Sequence, residues 1–287
     1  VSITVDILTS AETMRKWRLS LPHDQSIGFA PTMGHLHSGH IALIEASRNK
    51  SDITVASIFV NPMQFGASED LEAYPRTLAE DLAKLEQAGV AAVFTPNASD
   101  IYPDGIDQHT AVDVPGLTDV LCGASRPEHF RGVTTVVTKL LGLVRPHLAF
   151  FGAKDLQQVL VIQKMVRDLC INTEIITVPT MREADGLAMS SRNTYLSDEE
   201  RAAAPTFSAM LEACGTALSA PSADFDRILK DARKALINAG FSVDYLEARH
   251  THDLSPASSN SDEVALFGAV RLGAARLIDN RMLPAQP

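Results

Sequence analysis

Two histidines three residues apart, His37 and His40, stand with Gly34 and Gly39 in the stretch Pro31-Thr32-Met33-Gly34-His35-Leu36-His37-Ser38-Gly39-His40. The apolar run 27–30 before it reads as a short buried strand, and Ser38 followed by Ile41, Leu43 and Ile44 reads as a capped helix start. A strand-to-helix turn aims unpaired backbone N–H groups and the positive end of a helix dipole at its occupant, which suits a phosphate. Gly34 and Gly39 have P-loop spacing, but His40-Ile41 follows where that motif needs Lys and then Ser or Thr; what remains is H-x-G-H. Lying on one side of the first turn, the histidines could hold nucleotide phosphates and stabilise charge developing at phosphorus. Taken alone, a capping histidine beside a buried one is the ordinary alternative. Metal binding is weaker, because the third ligand and the i, i+4 spacing of an H-E-x-x-H arrangement are absent.

Four further clusters carry polar groups at comparable positions. Gly152-Ala153-Lys154-Asp155-Leu156-Gln157-Gln158 again joins a strand to a helix: Lys154 offers a point charge, Asp155 a cap, and Gln158 a side chain one turn on. Met189-Ser190-Ser191-Arg192-Asn193, after Arg182-Glu183-Ala184-Asp185-Gly186, offers hydroxyls and a guanidinium to phosphate oxygens; a helix lead-in is an even alternative. Asn61 and Gln64, after another strand, are uncharged amides suited to hydroxyls or a carboxylate. Arg126, His129 and Arg131 form an anion site or an ordinary solvated loop. The marks of serine hydrolases, zinc modules and dinucleotide oxidoreductases (G-x-S-x-G, paired C-x-x-C, G-x-G-x-x-G) are missing.

The elements that must position these groups alternate. Strands are expected at 3–8, 27–30, 52–60, 91–95, 148–151 and 174–178, and helices at 11–19, 38–49, 77–88, 133–143 and 156–169. The 52–60 strand is β-branched and apolar towards its end, as a central parallel strand should be. Such alternation predicts an α/β fold with a doubly wound parallel sheet, Rossmann-like, whose carboxyl edge gathers the turns described above. The Pro- and Gly-rich stretch 96–132 is expected as loops with short strands. After Pro179 the character changes: helices at 198–218 and 225–239 precede strands at 243–248, 264–270 and 275–278, a smaller α+β unit. The expected division is residues 1–180 for nucleotide binding and 181–287 for a lid, with a polar loop at 255–262 and a frayed tail after Met282.

With 287 residues, 45% of them hydrophobic, the chain can form one large or two medium domains. A net charge of −10 argues against nonspecific attraction to nucleic acid or anionic membrane, so an anionic ligand must be met by local cations. Three scattered cysteines, Cys122, Cys170 and Cys214, fit reduced thiols in a cytoplasmic protein rather than a disulfide framework or a zinc site. Residues 1–12 lack a signal-peptide profile, and no apolar run approaches the roughly 18 residues of a membrane span.

Taken in order, Pro31-Thr32-Met33-Gly34, His37-Ser38-Gly39-His40, Ser57 to Phe65, Tyr74-Pro75-Arg76-Thr77, His129-Phe130-Arg131-Gly132-Val133, Arg182 to Leu187 and Ser190-Ser191-Arg192-Asn193 resemble the pantoate–β-alanine ligase family of the H-x-G-H nucleotidyltransferase superfamily. The ordered set is far more specific than H-x-G-H alone. The resemblance implies ATP-dependent condensation of pantoate with β-alanine, with Mg2+, through a pantoyl adenylate, in a cytoplasmic homodimer. It implies that His37, His40, Lys154, Ser190 and Arg192 are catalytic and contact the triphosphate, with Pro31, Thr32, Met33, Gly39, Gly152, Asp155, Met189 and Ser191 completing the ATP site. By the same resemblance Met33, Asn61, Gln64 and Gln158 surround pantoate, and Asp81 lies near the metal. Three positions depart from the family pattern: Ala153 where glutamate is common, Cys122 where an acid is common, and His35 where a smaller or aromatic residue is usual. The runner-up is a nucleotidyltransferase that leaves the nucleotide in its product; a noncatalytic nucleotide-binding protein is a third possibility.

Overall fold

A computed structural model describes residues 5–66, 71–259 and 262–284. The first residues of the expected opening strand, part of the 255–262 loop and the end of the tail lie outside the described residues. In chain order the elements are β1 (Asp6–Leu8), α1 (Ala11–Ser20), β2 (Ile27–Thr32), α2 (Ser38–Arg48), β3 (Ile53–Ile58), α3 (Leu78–Gln87), β4 (Ala92–Phe94), α4 (Ala98–Ile101) and α5 (Cys122–Ser125). Then come α6 (His129–Val144), β5 (Leu148–Gly152), α7 (Leu156–Asp168), β6 (Glu174–Val178), α8 (Asp198–Ala203), α9 (Pro205–Leu218), α10 (Phe225–Asn238), β7 (Ser242–His250), β8 (Val264–Leu272) and β9 (Ala275–Met282).

The first six strands make one parallel sheet in the order β1-β4-β3-β2-β5-β6. The chain winds outward from β2 through β3 and β4, then crosses back over β2 to β5 and β6. The carboxyl ends of β2, β3 and β5 therefore flank a topological switch point, where open α/β sheets bind ligands. The pairing of β2 with β5 covers only Gly28↔Leu148 and Phe29↔Ala149, although both strands run three residues further. The two strands part at that end, and the opening between them is the floor of the site.

β2, β3 and β4 are almost wholly buried, which is what helices on both faces demand of a parallel sheet. Phe29, Val55 and Phe94 pack against α6 and α7 on one side. Ala30, Ala56 and Val93 face Ile44 of α2 and Leu85 of α3 on the other.

The remaining strands form an antiparallel sheet, β7-β8-β9. Its two faces are both covered. Val264, Leu266, Val270 and Leu277 pack on Phe207 and Leu211 of α9 and Leu236 of α10. From the other face, Tyr245, Ala265, Phe267 and Ala269 join the apolar cluster that contains Val133, Val137 and Leu156 of α6 and α7.

Three expectations change. The 96–132 stretch holds α4 and α5 rather than short strands among the described residues, and α6 begins at His129, four residues before the expected start. That stretch is held from α7: buried Gln157 accepts from Cys122 N at 3.0 Å and donates to the carbonyls of Leu117 (2.9 Å) and Val120 (2.8 Å). Finally, the single helix expected at 198–218 is two, because Pro205 cannot donate into a continuing ladder and instead starts α9.

Candidate active site

Each group is positioned by its local chain. His37 is the N-cap of α2: its Nδ1 accepts from Gly39 N (3.1 Å), and His40 Nδ1 accepts from His37 N (3.3 Å). A backbone amide can only donate, so both Nδ1 atoms carry lone pairs and both neutral rings bear their proton on Nε2. The rings lie 4.1 Å apart between centroids, tilted by 41°. Burial, then the Lys154 ammonium and His35, push the His37 pKa down to about 4. Burial, then His37 and Lys154, push His40 to about 3. At neutral pH the pair therefore consists of two uncharged N–H donors. A Cβ at Gly39 would sit 2.9 Å from His37 Cε1, so a side chain there would push the capping imidazole out of place.

The turn before them is braced from α3. Gly34 and His35 both adopt left-handed backbone, φ 84° and 51°, the second an unfavourable choice for a residue with a side chain. Asp81 accounts for it: its carboxylate accepts from His35 N and Leu36 N, both at 2.8 Å, and from Thr77 Oγ1 at 3.1 Å. Lys84 Nζ donates to Leu36 O (2.8 Å), and Ser191 Oγ to His35 O (3.2 Å). Asp81 is fully buried and is not among the residues that line the cavity, so its observed work is to fix the turn.

On the opposite wall, Lys154 follows β5 in a 3-10 turn, its ammonium 3.5 Å from Asp155 Oδ1 and mostly buried. Asn280 of β9 holds that turn by donating from Nδ2 to the carbonyls of Ala153 and Lys154, each at 2.8 Å. Its neighbour Asp279 grips Arg182 bidentately (2.7 and 3.0 Å), anchoring the segment that leads to Met189, Ser190, Ser191 and Arg192. Ser190 caps a further 3-10 turn by accepting from Arg192 N (3.3 Å).

The amides form the third wall. Asn61 is buried and fully used: Nδ2 donates to Gln64 Oε1 (3.1 Å) and Gly132 O (3.1 Å), while Oδ1 accepts from Tyr102 Oη (2.7 Å) and Met63 N (3.3 Å). Asn61 thereby orients Gln64, whose Nε2 lies 3.1 Å from Met33 Sδ. His129 Nδ1 donates to Gln64 O (2.8 Å), and its Nε2 faces Arg126 Nη1 at 3.0 Å. Arg131, by contrast, is turned to an exposed pair with Glu128.

These walls enclose a cavity of about 810 Å3 at the carboxyl ends of β2, β3 and β5. Every expected ATP and pantoate residue lines it: Pro31, Thr32, Met33, His37, Gly39 and His40 from the first turn; Asn61 and Gln64; Gly152, Lys154, Asp155 and Gln158; and Met189 through Arg192. Among the described residues five cations, Arg126, Lys154, Arg192, Arg271 and Arg276, line it with one carboxylate, Asp155. On a chain of net charge −10 this is a local inversion suited to a polyanion. Sequence reasoning missed the antiparallel sheet's share: Arg271, Arg276, Ile278 and the tie from Asn280. Alternation along β9 puts Arg276, Ile278 and Asn280 on one face, but no motif marks which way that face turns.

Comparisons agree in extent as well as kind. The family model described as pantoate-beta-alanine ligase matches residues 6–282. A pantothenate synthetase of Pseudomonas aeruginosa is 49% identical over 277 residues, covering 95% of this chain and 98% of its own. The crystal structure of pantothenate synthetase from Thermus thermophilus superposes with a TM-score of 0.90 at 43% identity, covering 97% of this chain and 99% of the other. That of pantoate-beta-alanine ligase from Francisella tularensis complexed with beta-gamma ATP and beta-alanine gives 0.84 at 35% identity, covering 97% and 98%.

Proposed function

The chain belongs to the pantoate–β-alanine ligase family and is a ligase condensing pantoate with β-alanine at the expense of ATP; from that premise we propose how this cavity does it. A pantoate carboxylate oxygen attacks the α-phosphorus of ATP and pyrophosphate leaves, forming pantoyl adenylate. The β-alanine ammonium gives up a proton and the resulting amine attacks the acyl carbon; AMP departs with the electron pair of the broken C–O bond, and the nitrogen releases a second proton to leave the neutral amide. The first step brings two anions together, so fixed cations and alignment are the expected main terms.

Lys154 and Arg192 supply charge to the triphosphate, and His37 Nε2–H, His40 Nε2–H and the Ser190 and Ser191 hydroxyls supply neutral donors. Neutral donors can approach the α-phosphoryl oxygens without first losing a hydration shell as large as an ammonium's. Gln64, fixed by Asn61, and Gln158 hold pantoate beside Met33. The ATP and β-alanine bound in the Francisella relative support a shared cavity for both substrates.

The residues fit a magnesium ion that enters on the triphosphate: among the described residues Asp155 is the one carboxylate lining the cavity, and this metal usually keeps its waters and phosphate ligands beside one or two carboxylates. The ion supplies charge neutralisation for the departing pyrophosphate. The second unit, 181–287, serves as the cover that keeps water from the mixed anhydride. We assign the enzyme to the cytoplasm, where ATP is supplied, and to the family's homodimeric form.

The observation that carries this mechanism is the convergence of three strand-end turns, with five cations and one carboxylate, on one cavity. The test is pantoate-dependent exchange of pyrophosphate into ATP. Exchange is expected with pantoate, ATP and magnesium and without β-alanine; no exchange at saturation would reject the adenylate route.

A further inference from the structure

We propose that a second cavity, at the amino edge of the parallel sheet and lined by Arg18, Arg145 and His147, is an anion site that takes a phosphoryl group, either free phosphate or the head of a small phosphomonoester. The cavity measures about 450 Å3 and lies before β5 and β6 begin, at the opposite edge of the sheet from the catalytic one. Among the described residues, no carboxylate lines it.

Arg18 projects from α1 and lines the cavity, while its Nε is buried within the protein without a hydrogen-bond partner. Arg145 follows α6 in the left-handed conformation, φ 49°, at a position where glycine or asparagine is the easy choice. Burial and the like charge of Arg145 both lower the pKa of Arg18, with no acid acting against them. His147 accepts from Ile27 N through Nδ1 (2.9 Å), which leaves the proton of its neutral ring on Nε2 as a third donor. Asp52 lies near His147, but its carboxylate accepts from Ser26 N (2.8 Å) and Ser26 Oγ (2.6 Å), and it is not part of the lining.

Two guanidinium groups and an imidazole N–H match a dianion better than a single carboxylate, which one guanidinium fork already satisfies. The rest of the wall is largely apolar, Leu141 and Ile171 included, and leaves room for a short organic tail. The two hydroxyls are already spent: Thr138 donates to Met165 Sδ and Thr173 to Pro146 O.

Calorimetry on the full chain tests the proposal, at fixed ionic strength and with the catalytic cavity saturated by a non-hydrolysable ATP analogue. Inorganic phosphate and butyl phosphate are titrated separately. One saturable site per chain is expected, weakened at least tenfold in Arg18→Gln and in Arg145→Gln, with ligase activity in the absence of phosphate unchanged. Tighter binding of butyl phosphate identifies a monoester ligand; equal or weaker binding identifies free phosphate. Heats that never saturate, or a site that both variants leave intact, would overturn the proposal. Arg145 is exposed, so its variant keeps the test decisive if Arg18→Gln fails to fold.

Discussion

The parallel and antiparallel sheets build the same cavity in opposite ways. The parallel sheet offers its strand ends: β2, β3 and β5 each stop at a turn whose next residues are donors, so function is written in short contiguous motifs. The antiparallel sheet offers a face. Arg276, Ile278 and Asn280 reach the site at every second position of β9, while the intervening Leu277 and Asp279 turn to α9 and Arg182. A turn gathers neighbours in sequence, whereas a face gathers alternate residues whose meaning depends on what the sheet packs against.

The charges differ as well. Arg276 is held by Asp244 (2.8 Å), with Ser125 Oγ at 3.0 Å, so much of its charge is answered within the protein. Lys154 has only a 3.5 Å approach to Asp155. The largest expected effect follows: Lys154→Ala should slow adenylation by about 10²-fold or more, the usual scale for removing a transition-state donor, and His40→Ala should fall in the same range. Arg276→Ala should cost clearly less. Single-turnover measurement of AMP formation orders them, and an Arg276 effect equal to that of Lys154 would break the contrast between the sheets.

Legibility in the sequence follows the same division. Alternating strands and helices, and the strand ends at residues 31–40, 61–64 and 152–158, could be read because a turn is local and glycine, proline and capping residues announce it. What β9 does could not be read. Asn280 sits in an ordinary strand pattern, and its two acceptors lie 126 and 127 residues away. The bracing by Asp81 was not legible for a related reason: only the placement of His35 N and Leu36 N against its carboxylate shows which groups its oxygens hold. Much of 96–132 is loop as expected, but its tie to the parallel sheet could not be read, because it comes in part from Gln157 on α7.

A middle-sized effect sharpens the comparison. If the antiparallel sheet acts on the chemistry through the Lys154 turn, Asn280→Ala removes two hydrogen bonds of about 1 kcal/mol each, an expected loss of up to about 30-fold in kcat/KM for ATP. The KM for pantoate should stay unchanged, because Gln64 is fixed by Asn61 and not by β9. Steady-state kinetics with each substrate varied in turn separates the two. A loss spread evenly over ATP and pantoate would mean that Asn280 merely supports the fold.

The smallest expected effect belongs to the parallel sheet alone and lies in the pH profile. His37 and His40 titrate near 6.5 when unfolded but are depressed to about 4 and about 3 in the folded chain. As donors through Nε2 they work uncharged, so kcat/KM for ATP in the exchange reaction, which reports the free enzyme, should show no acid limb from these residues between pH 7.5 and 5.5. Stability should behave differently. Above pH 6.5 the contribution of burying neutral rings is fully present; as pH falls below 6.5 the unfolded chain binds protons that the native state refuses, and stability declines until the pH reaches the folded values. Urea midpoints should therefore drop more steeply below pH 6.5 in the native protein than in His40→Asn, while activity of the native protein stays level. An acid limb near pH 6.5 in kcat/KM, together with parallel urea curves, would mean that the pair works as a cation like Lys154, and the division between neutral donors and fixed charges on that wall would fall.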